Sequence, residues 1–348
     1  MLWTSLVAFF TPVAASPAIQ APISAAGPSR RTAFDIQAHR GGRGNVVESV
    51  LPAFAWALIN GANTLELDNG ITKDEIVVLW HDEHILAGKC QDTGPVFEGD
   101  PDYPYVGKVL STLTLAQIKT LDCGSLRQAA YPLQATYPGT KISTLQEFFD
   151  FVSCADPEHQ MRFNIESKIN PEQPNNTASP EVFVSKQHEI FVATPYAKAI
   201  TYESFDWRTL VGMKKLDKNI ILSGLVDDVT FGTEGSKSVW FGGAQIDDFP
   251  GHTRTAKLAH MAASLGIHIL SPAGTASVSQ TKEANAPPWT INTLSVAERL
   301  LELEVDGLIT DYPNSMRRWA KGRGLPVAPR YPSSRVLSCL AKHNQVGA

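Results

Sequence analysis

Asn63-Thr64-Leu65-Glu66-Leu67-Asp68 reads as a β-strand with two unlike faces. Side chains two apart on a strand share a side, so Leu65 and Leu67 face a hydrophobic layer while Glu66 and Asp68 project together on the other. Two acids facing one way repel each other and call for a cation between them. Upstream stands His39-Arg40-Gly41 and downstream His81-Asp82. Two histidines so placed could supply the acid and the base for breaking a phosphate ester.

The same parity governs Phe163-Asn164-Ile165-Glu166-Ser167-Lys168. Phe163 and Ile165 fall on a helix-covered exterior, and Asn164, Glu166 and Lys168 on the opposite face. Around these two strands, extended runs alternate with helical patterns. Strands are expected at 35–39, 64–68, 76–81, 162–168, 199–202, 220–225, 267–271 and 307–310. Helices are expected at 49–60, 144–153, 181–192, 206–216, 253–265 and 293–303. About eight strand-helix repeats predict a closed (β/α)8 TIM barrel of the α/β class, whose site lies at the C-terminal ends of its strands. His39, Glu66, Asp68, Glu166 and Lys168 all fall at such ends. Between 82 and 140 the periodicity weakens into Gly- and Pro-rich loops around a short helix near 114–120, which reads as an insertion on the scaffold. A doubly wound sheet is the competing architecture, but Gly42-Arg43-Gly44 has Val47 where a dinucleotide loop needs its third glycine.

Three carboxylates in a partly buried mouth would each lose hydration worth several kcal/mol. Structural ion pairs with Arg40, Lys168 and Lys141 would relieve that cost, as would a hard divalent cation. All-oxygen ligation by Glu66, Asp68 and Glu166 favours Mg2+ or Ca2+, with Mn2+ as the third option, over zinc.

The chain has 348 residues, 43% hydrophobic and 19% charged, with a formal net charge of -5. That composition suits a globular protein and provides no basic field for a nucleic-acid backbone. Residues 1–16 form a short apolar run ending in small residues, the layout of a secretory signal, though without a basic n-region. They fall short of the roughly 20 residues a membrane span requires. Residues 17–33, rich in Ala, Pro and Ser, are expected to form a flexible lead, 34–325 the barrel domain and 326–348 a C-terminal tail. The expected location is extracellular. Asn175-Asn176-Thr177 is a glycosylation acceptor that agrees with export. Four cysteines allow three pairings. Cys90–Cys123 with Cys154–Cys339 is favoured, because the first would brace the loop-rich insertion and the second would pin the tail.

At the residues that carry this chemistry the chain resembles the glycerophosphodiester phosphodiesterase family. The matching motifs are His39-Arg40-Gly41, Glu66-Leu67-Asp68, Thr72-Lys73-Asp74 and His81-Asp82. Further matches are Asn164-Ile165-Glu166-Ser167-Lys168, Ser204-Phe205-Asp206, Trp289-Thr290-Ile291-Asn292 and the stretch from Asp306 to Pro313. The resemblance implies a barrel with a small insertion after strand two that hydrolyses glycerophosphodiesters to glycerol phosphate and an alcohol with one divalent ion. It implies Glu66, Asp68 and Glu166 as metal ligands and His39 and His81 as the acid-base pair, His39 being assigned as base and His81 as acid. Arg40 and Lys168 would hold phosphate oxygens, and Trp289 would shape the alcohol pocket. The family's usual Pro-Glu-Asn-Thr is here Val47-Glu48-Ser49-Val50. Glu48 survives for a metal-shell or substrate role, while the contacts of the replaced Asn and Thr are not carried over. The attacking oxygen is either water or the neighbouring glycerol hydroxyl, the latter passing through a cyclic phosphate.

The partners expected are thus small molecules, a glycerophosphodiester or a lysophospholipid. A phospholipase D-like barrel acting on lysophospholipid or sphingomyelin is the nearest rival. A noncatalytic extracellular barrel is a second, and a two-carboxylate glycosidase a third that leaves both histidines without a task.

Overall fold

The computed structural model describes residues 33–274 and 287–344. The expected signal, the lead up to 32 and the last four residues of the tail lie outside them. Through the first half, β1 (Asp35–Ala38) is followed by α1 (Leu51–Asn60), β2 (Thr64–Ile71), β3 (Val77–Leu79), α2 (Leu115–Ile118), α3 (Leu145–Ala155) and β4 (Arg162–Ser167). Then come α4 (Pro180–Ala193), β5 (Ile200–Ser204), α5 (Trp207–Leu216), β6 (Ile221–Val226), α6 (Asp228–Phe231), α7 (Arg254–Ser264) and β7 (Ile269–Pro272). The chain ends with α8 (Leu294–Glu302), β8 (Gly307–Thr310), α9 (Pro313–Gly322) and α10 (Ser333–His343).

Neighbouring strands pair in the order β7-β6-β5-β4-β2-β1-β8, each pair parallel. Pro288–Ile291 spans the gap between β7 and β8. Trp289 forms a parallel bridge with Ala273. On the other side, the Ile291 N–H donates to the Ile309 carbonyl at 2.8 Å and the Ile309 N–H donates to the Pro288 carbonyl at 3.0 Å. This short segment is the eighth stave of the barrel.

The run at 76–81, which helps make up eight strands in the sequence count, has another place. β2 overshoots the barrel and reverses at Thr72–Ile76, where the Thr72 N–H donates to the Ile76 carbonyl at 3.0 Å. β3 therefore returns antiparallel on β2, with Asn69 opposite Leu79. A five-residue reversal has no room for the crossover helix that a parallel neighbour needs.

The core lies between the staves and the helix ring. Leu65 and Leu67 of β2, Phe163 and Ile165 of β4, and Leu222 of β6 are buried against Phe148, Phe149, Leu210 and Met213. The chain between β3 and α3 has a second core of its own, including Trp80, Ile85, Tyr105, Leu113, Ile118 and Leu121. Cys90–Cys123 lies within this second core, and Cys154–Cys339 joins α3 to α10. Both are the favoured pairings. The last helix is docked, with Val336, Cys339 and Leu340 of α10 buried in the main core.

Candidate active site

The register of three adjacent strands fixes the acidic centre. Asp68 of β2 stands opposite Glu166 of β4, and Glu166 stands opposite Glu203 of β5. Carboxylate oxygens of Glu66, Glu166 and Glu203 lie within 4.8 Å of one another, and all three residues are buried. Burial and the charges of Asp68 and Glu203 push Glu66 well above the usual carboxylate range. Glu166 rises to about 7, because burial and Asp68 outweigh the attraction of Lys168. Glu203 is raised by burial and by Glu166. The donor set is hard, oxygen-only and short of positive charge, so it fits a divalent cation of the Mg2+ or Ca2+ type.

Asp68 differs from its neighbours. Its Oδ2 lies 3.0 Å from Arg40 Nε and its Oδ1 3.8 Å from Lys168 Nζ. Burial alone would raise its pKa, but Arg40, His81 and Lys168 hold it below the ordinary range. Arg40 also forms a 2.9 Å ion pair with Glu48, and its backbone N–H donates to Glu66 Oε2 at 2.7 Å. These contacts fix Arg40 in a left-handed conformation, φ 52°, that a non-glycine residue adopts only when its surroundings compensate. Lys168 Nζ lies 2.8 Å from Glu166 and over the ring of Phe205. Of the partners considered for the acids, Arg40 and Lys168 are engaged, whereas Lys141 donates to the Thr120 carbonyl.

Each histidine is oriented by a carboxylate. His39 Nδ1 lies 2.6 Å from Asp311 Oδ1, which makes Nδ1 the protonated nitrogen and leaves Nε2 as the acceptor. Asp311 is fixed in turn by Arg43 Nε at 2.8 Å, the Tyr131 hydroxyl at 2.8 Å and the Asn292 amide at 2.7 Å. Burial and the Arg40 charge lower the His39 pKa to about 4 in spite of Asp311. His81 Nδ1 lies 3.0 Å from Asp82 Oδ1, and burial with Lys168 depresses its pKa well below the usual value. Both rings are therefore neutral at pH 7 in the absence of ligand.

A cleft of about 280 Å³ opens at the strands' C-terminal ends, with His39, His81, Arg40, Lys168, Glu66, Glu166 and Glu203 on its walls. Phe205 and Trp289 meet edge to face at 5.4 Å on its apolar side. Of the sequence candidates, these two histidines, Arg40, Lys168, Glu66, Glu166 and Trp289 line one cavity. Asp68 and Glu48 stand behind it as partners of Arg40. Sequence reasoning passed over Glu203 and Asp311. The strand expected at 199–202 ends one residue short of Glu203, although the outward Tyr202 would have placed Glu203 inward by parity. Asp311 lies one residue beyond β8, inside a motif that was matched without a role.

Barrel and cleft together place the chain among TIM-barrel proteins with a charged cavity at the strands' C-terminal ends. Residues 39–315 match the model of the glycerophosphoryl diester phosphodiesterase family, and the chain belongs to that family. It is a phosphodiesterase. A glycerophosphodiester phosphodiesterase of Bacillus subtilis is 25% identical over 307 residues, covering 86% of this chain and 92% of the relative. Among solved structures, one from Silicibacter pomeroyi superposes with a TM-score of 0.68 at 24% identity, covering 85% of this chain and 96% of that one. An Oleispira antarctica phosphodiesterase in complex with the product sn-glycerol-3-phosphate gives a TM-score of 0.60 at 20% identity, covering 83% of this chain and 97% of that one.

Proposed function

We propose that this protein hydrolyses glycerophosphodiesters to glycerol phosphate and an alcohol, by acid-base catalysis between His39 and His81 at a site that uses one divalent cation. The observation that carries the reading is that both histidines and the group Glu66, Glu166 and Glu203 line one cleft. The sn-glycerol-3-phosphate bound to the Oleispira antarctica phosphodiesterase supports a substrate of this size and charge.

Glu66, Glu166 and Glu203 would hold the cation, with Asp68 beside them as a further oxygen donor once released from Arg40. When bound, such an ion neutralises charge on phosphoryl oxygens as a Lewis acid. Arg40 and Lys168 supply two more positive charges to the same oxygens. With Nδ1 tied to Asp311, His39 presents a neutral Nε2 that takes the proton of the attacking oxygen, whether water or the adjacent glycerol hydroxyl. His81 is the proton donor to the leaving alkoxide. The negative charge of a bound phosphodiester raises its proton affinity from the depressed value of the empty cleft. Trp289 and Phe205 form the apolar wall against which the leaving alcohol packs. The two disulfides and the apolar N-terminal run support an extracellular location for the protein.

The test is product analysis on glycerophosphocholine, lysophosphatidylcholine and sphingomyelin, before and after chelation and with Mg2+, Ca2+ or Mn2+ restored. Glycerol phosphate from the first substrate, lost on chelation, is expected. Turnover of the lysophospholipid or sphingomyelin alone would favour the phospholipase D-like reading. His39→Ala and His81→Ala should each lower kcat at least about 100-fold, the usual span of acid-base catalysis. Wild-type turnover in either removes that histidine from the mechanism.

A further inference from the structure

The inserted segment between β3 and α3 sends a cation into the framework behind the cleft. Lys89 Nζ lies 2.6 Å from Glu48 Oε1, and it also pairs with Asp82 Oδ2. Asp82 is the carboxylate that holds His81, through its other oxygen. Glu48 is the carboxylate that holds Arg40. Lys89 therefore sits at the centre of a chain running from Arg40 through Glu48, Lys89 and Asp82 to His81. Its own place is fixed: the ammonium lies over the Trp80 ring, 5.6 Å from the centroid, and the next residue is Cys90, bonded to Cys123. The side chain is 14% exposed and Lys89 is not among the residues lining the cleft.

With one carboxylate oxygen on the histidine and the other on Lys89, Asp82 cannot turn about its bond to the backbone without breaking an ion pair. The imidazole that Asp82 holds is then fixed in tautomer and in angle. We propose that Lys89 is a positioning residue for His81, through which the inserted segment sets the geometry of the phosphodiesterase reaction. This rests on the reading of His81 as an acid-base group. The inserted segment also contributes Gln128, which donates to Glu48 at 2.8 Å, and Tyr131 on Asp311. It thus touches the supports of both histidines.

The test measures kcat and KM separately on glycerophosphocholine with the metal-loaded enzyme, for the wild type, H81N, K89M, K89R and the double variant K89M/H81N. A misaligned ring slows the chemical step while leaving substrate capture in place. K89M should therefore lose about tenfold or more in kcat, with KM within about threefold. K89R, which can span both carboxylates, should recover most of the loss. K89M/H81N should be no slower than H81N, because Lys89 acts through the missing ring. If H81N turns over like the wild type, the reading of His81 fails and the proposal with it. If H81N is slow but K89M keeps kcat within twofold of the wild type, the proposal alone is overturned. K89Q leaves the direct contact between Asp82 and His81 in place and removes only the ammonium. It replaces K89M should that variant not fold: a loss in kcat supports the proposal, and wild-type kcat overturns it.

Discussion

At the level of single residues, the site is a set of charges whose energies depend on their neighbours. His39 takes up a proton at about 4 in the fold, against the ordinary histidine value of 6.5 expected in the unfolded chain. As pH falls through 6.5 the unfolded chain gains a proton that the folded one refuses. Stability then declines until pH reaches about 4, by about 3 kcal/mol in total. Urea unfolding of metal-free protein at pH 7 and pH 4.5 should show this loss in the wild type and a smaller one in His39→Gln. Equal losses would mean that the ring is not buried in its neutral form. Glu203 permits a sharper test, since it adds to the repulsion that raises Glu66. Glu203→Gln should raise the melting temperature of the metal-free protein and shrink the further rise produced by Mg2+ or Ca2+. An undiminished metal response in calorimetry would exclude Glu203 from the cation's ligands.

At the level of elements, what could be read from the sequence depended on period. The strands around Glu66 and Glu166 alternate cleanly, so residue parity alone placed Leu65, Leu67, Phe163 and Ile165 outward, where the structure buries them against helices. Pro288–Ile291 is too short to display any period, and it starts with a residue that cannot donate a backbone hydrogen bond. It could not be recognised as a stave, and β3 filled the count in its place. Long-range partners such as Asp311 on His39, 272 residues apart, leave no local trace. Close approach of strands can be tested at Gly307, opposite Asp35 where β8 meets β1. A Cβ there would stand 2.3 Å from the Asp35 carbonyl oxygen, backbone that cannot move without unpairing the strands. Gly307→Ala should therefore destabilise the protein by about 1–3 kcal/mol, the usual cost of overpacking a core. A melting curve matching the wild type would show that the β1–β8 contact is looser than described.

At the level of the whole molecule, two disulfides serve two different cores. Cys154–Cys339 spans 185 residues and ties α10 to α3 in the main core. Cys90–Cys123 spans 33 residues and lies wholly within the smaller core of the inserted segment. A crosslink stabilises mainly by restricting the unfolded chain, and more so for the longer loop. Replacing Cys154 and Cys339 together by Ser should thus cost about 2–5 kcal/mol in global stability. Its turnover at 25 °C should stay close to the wild type, because neither cysteine touches the cleft. The Cys90 and Cys123 double replacement should do the reverse. The barrel core remains closed without that bond, so the main unfolding transition moves little. The inserted segment nevertheless carries Gln128 and Tyr131 against the carboxylates that support Arg40 and His39. Loosening it should lower kcat and expose the segment to limited proteolysis at temperatures where the barrel resists. Calorimetry and kinetics on the two double variants decide the matter. If both lose stability alike and activity alike, the two cores unfold as one unit and the inserted segment has no separate hold on the site.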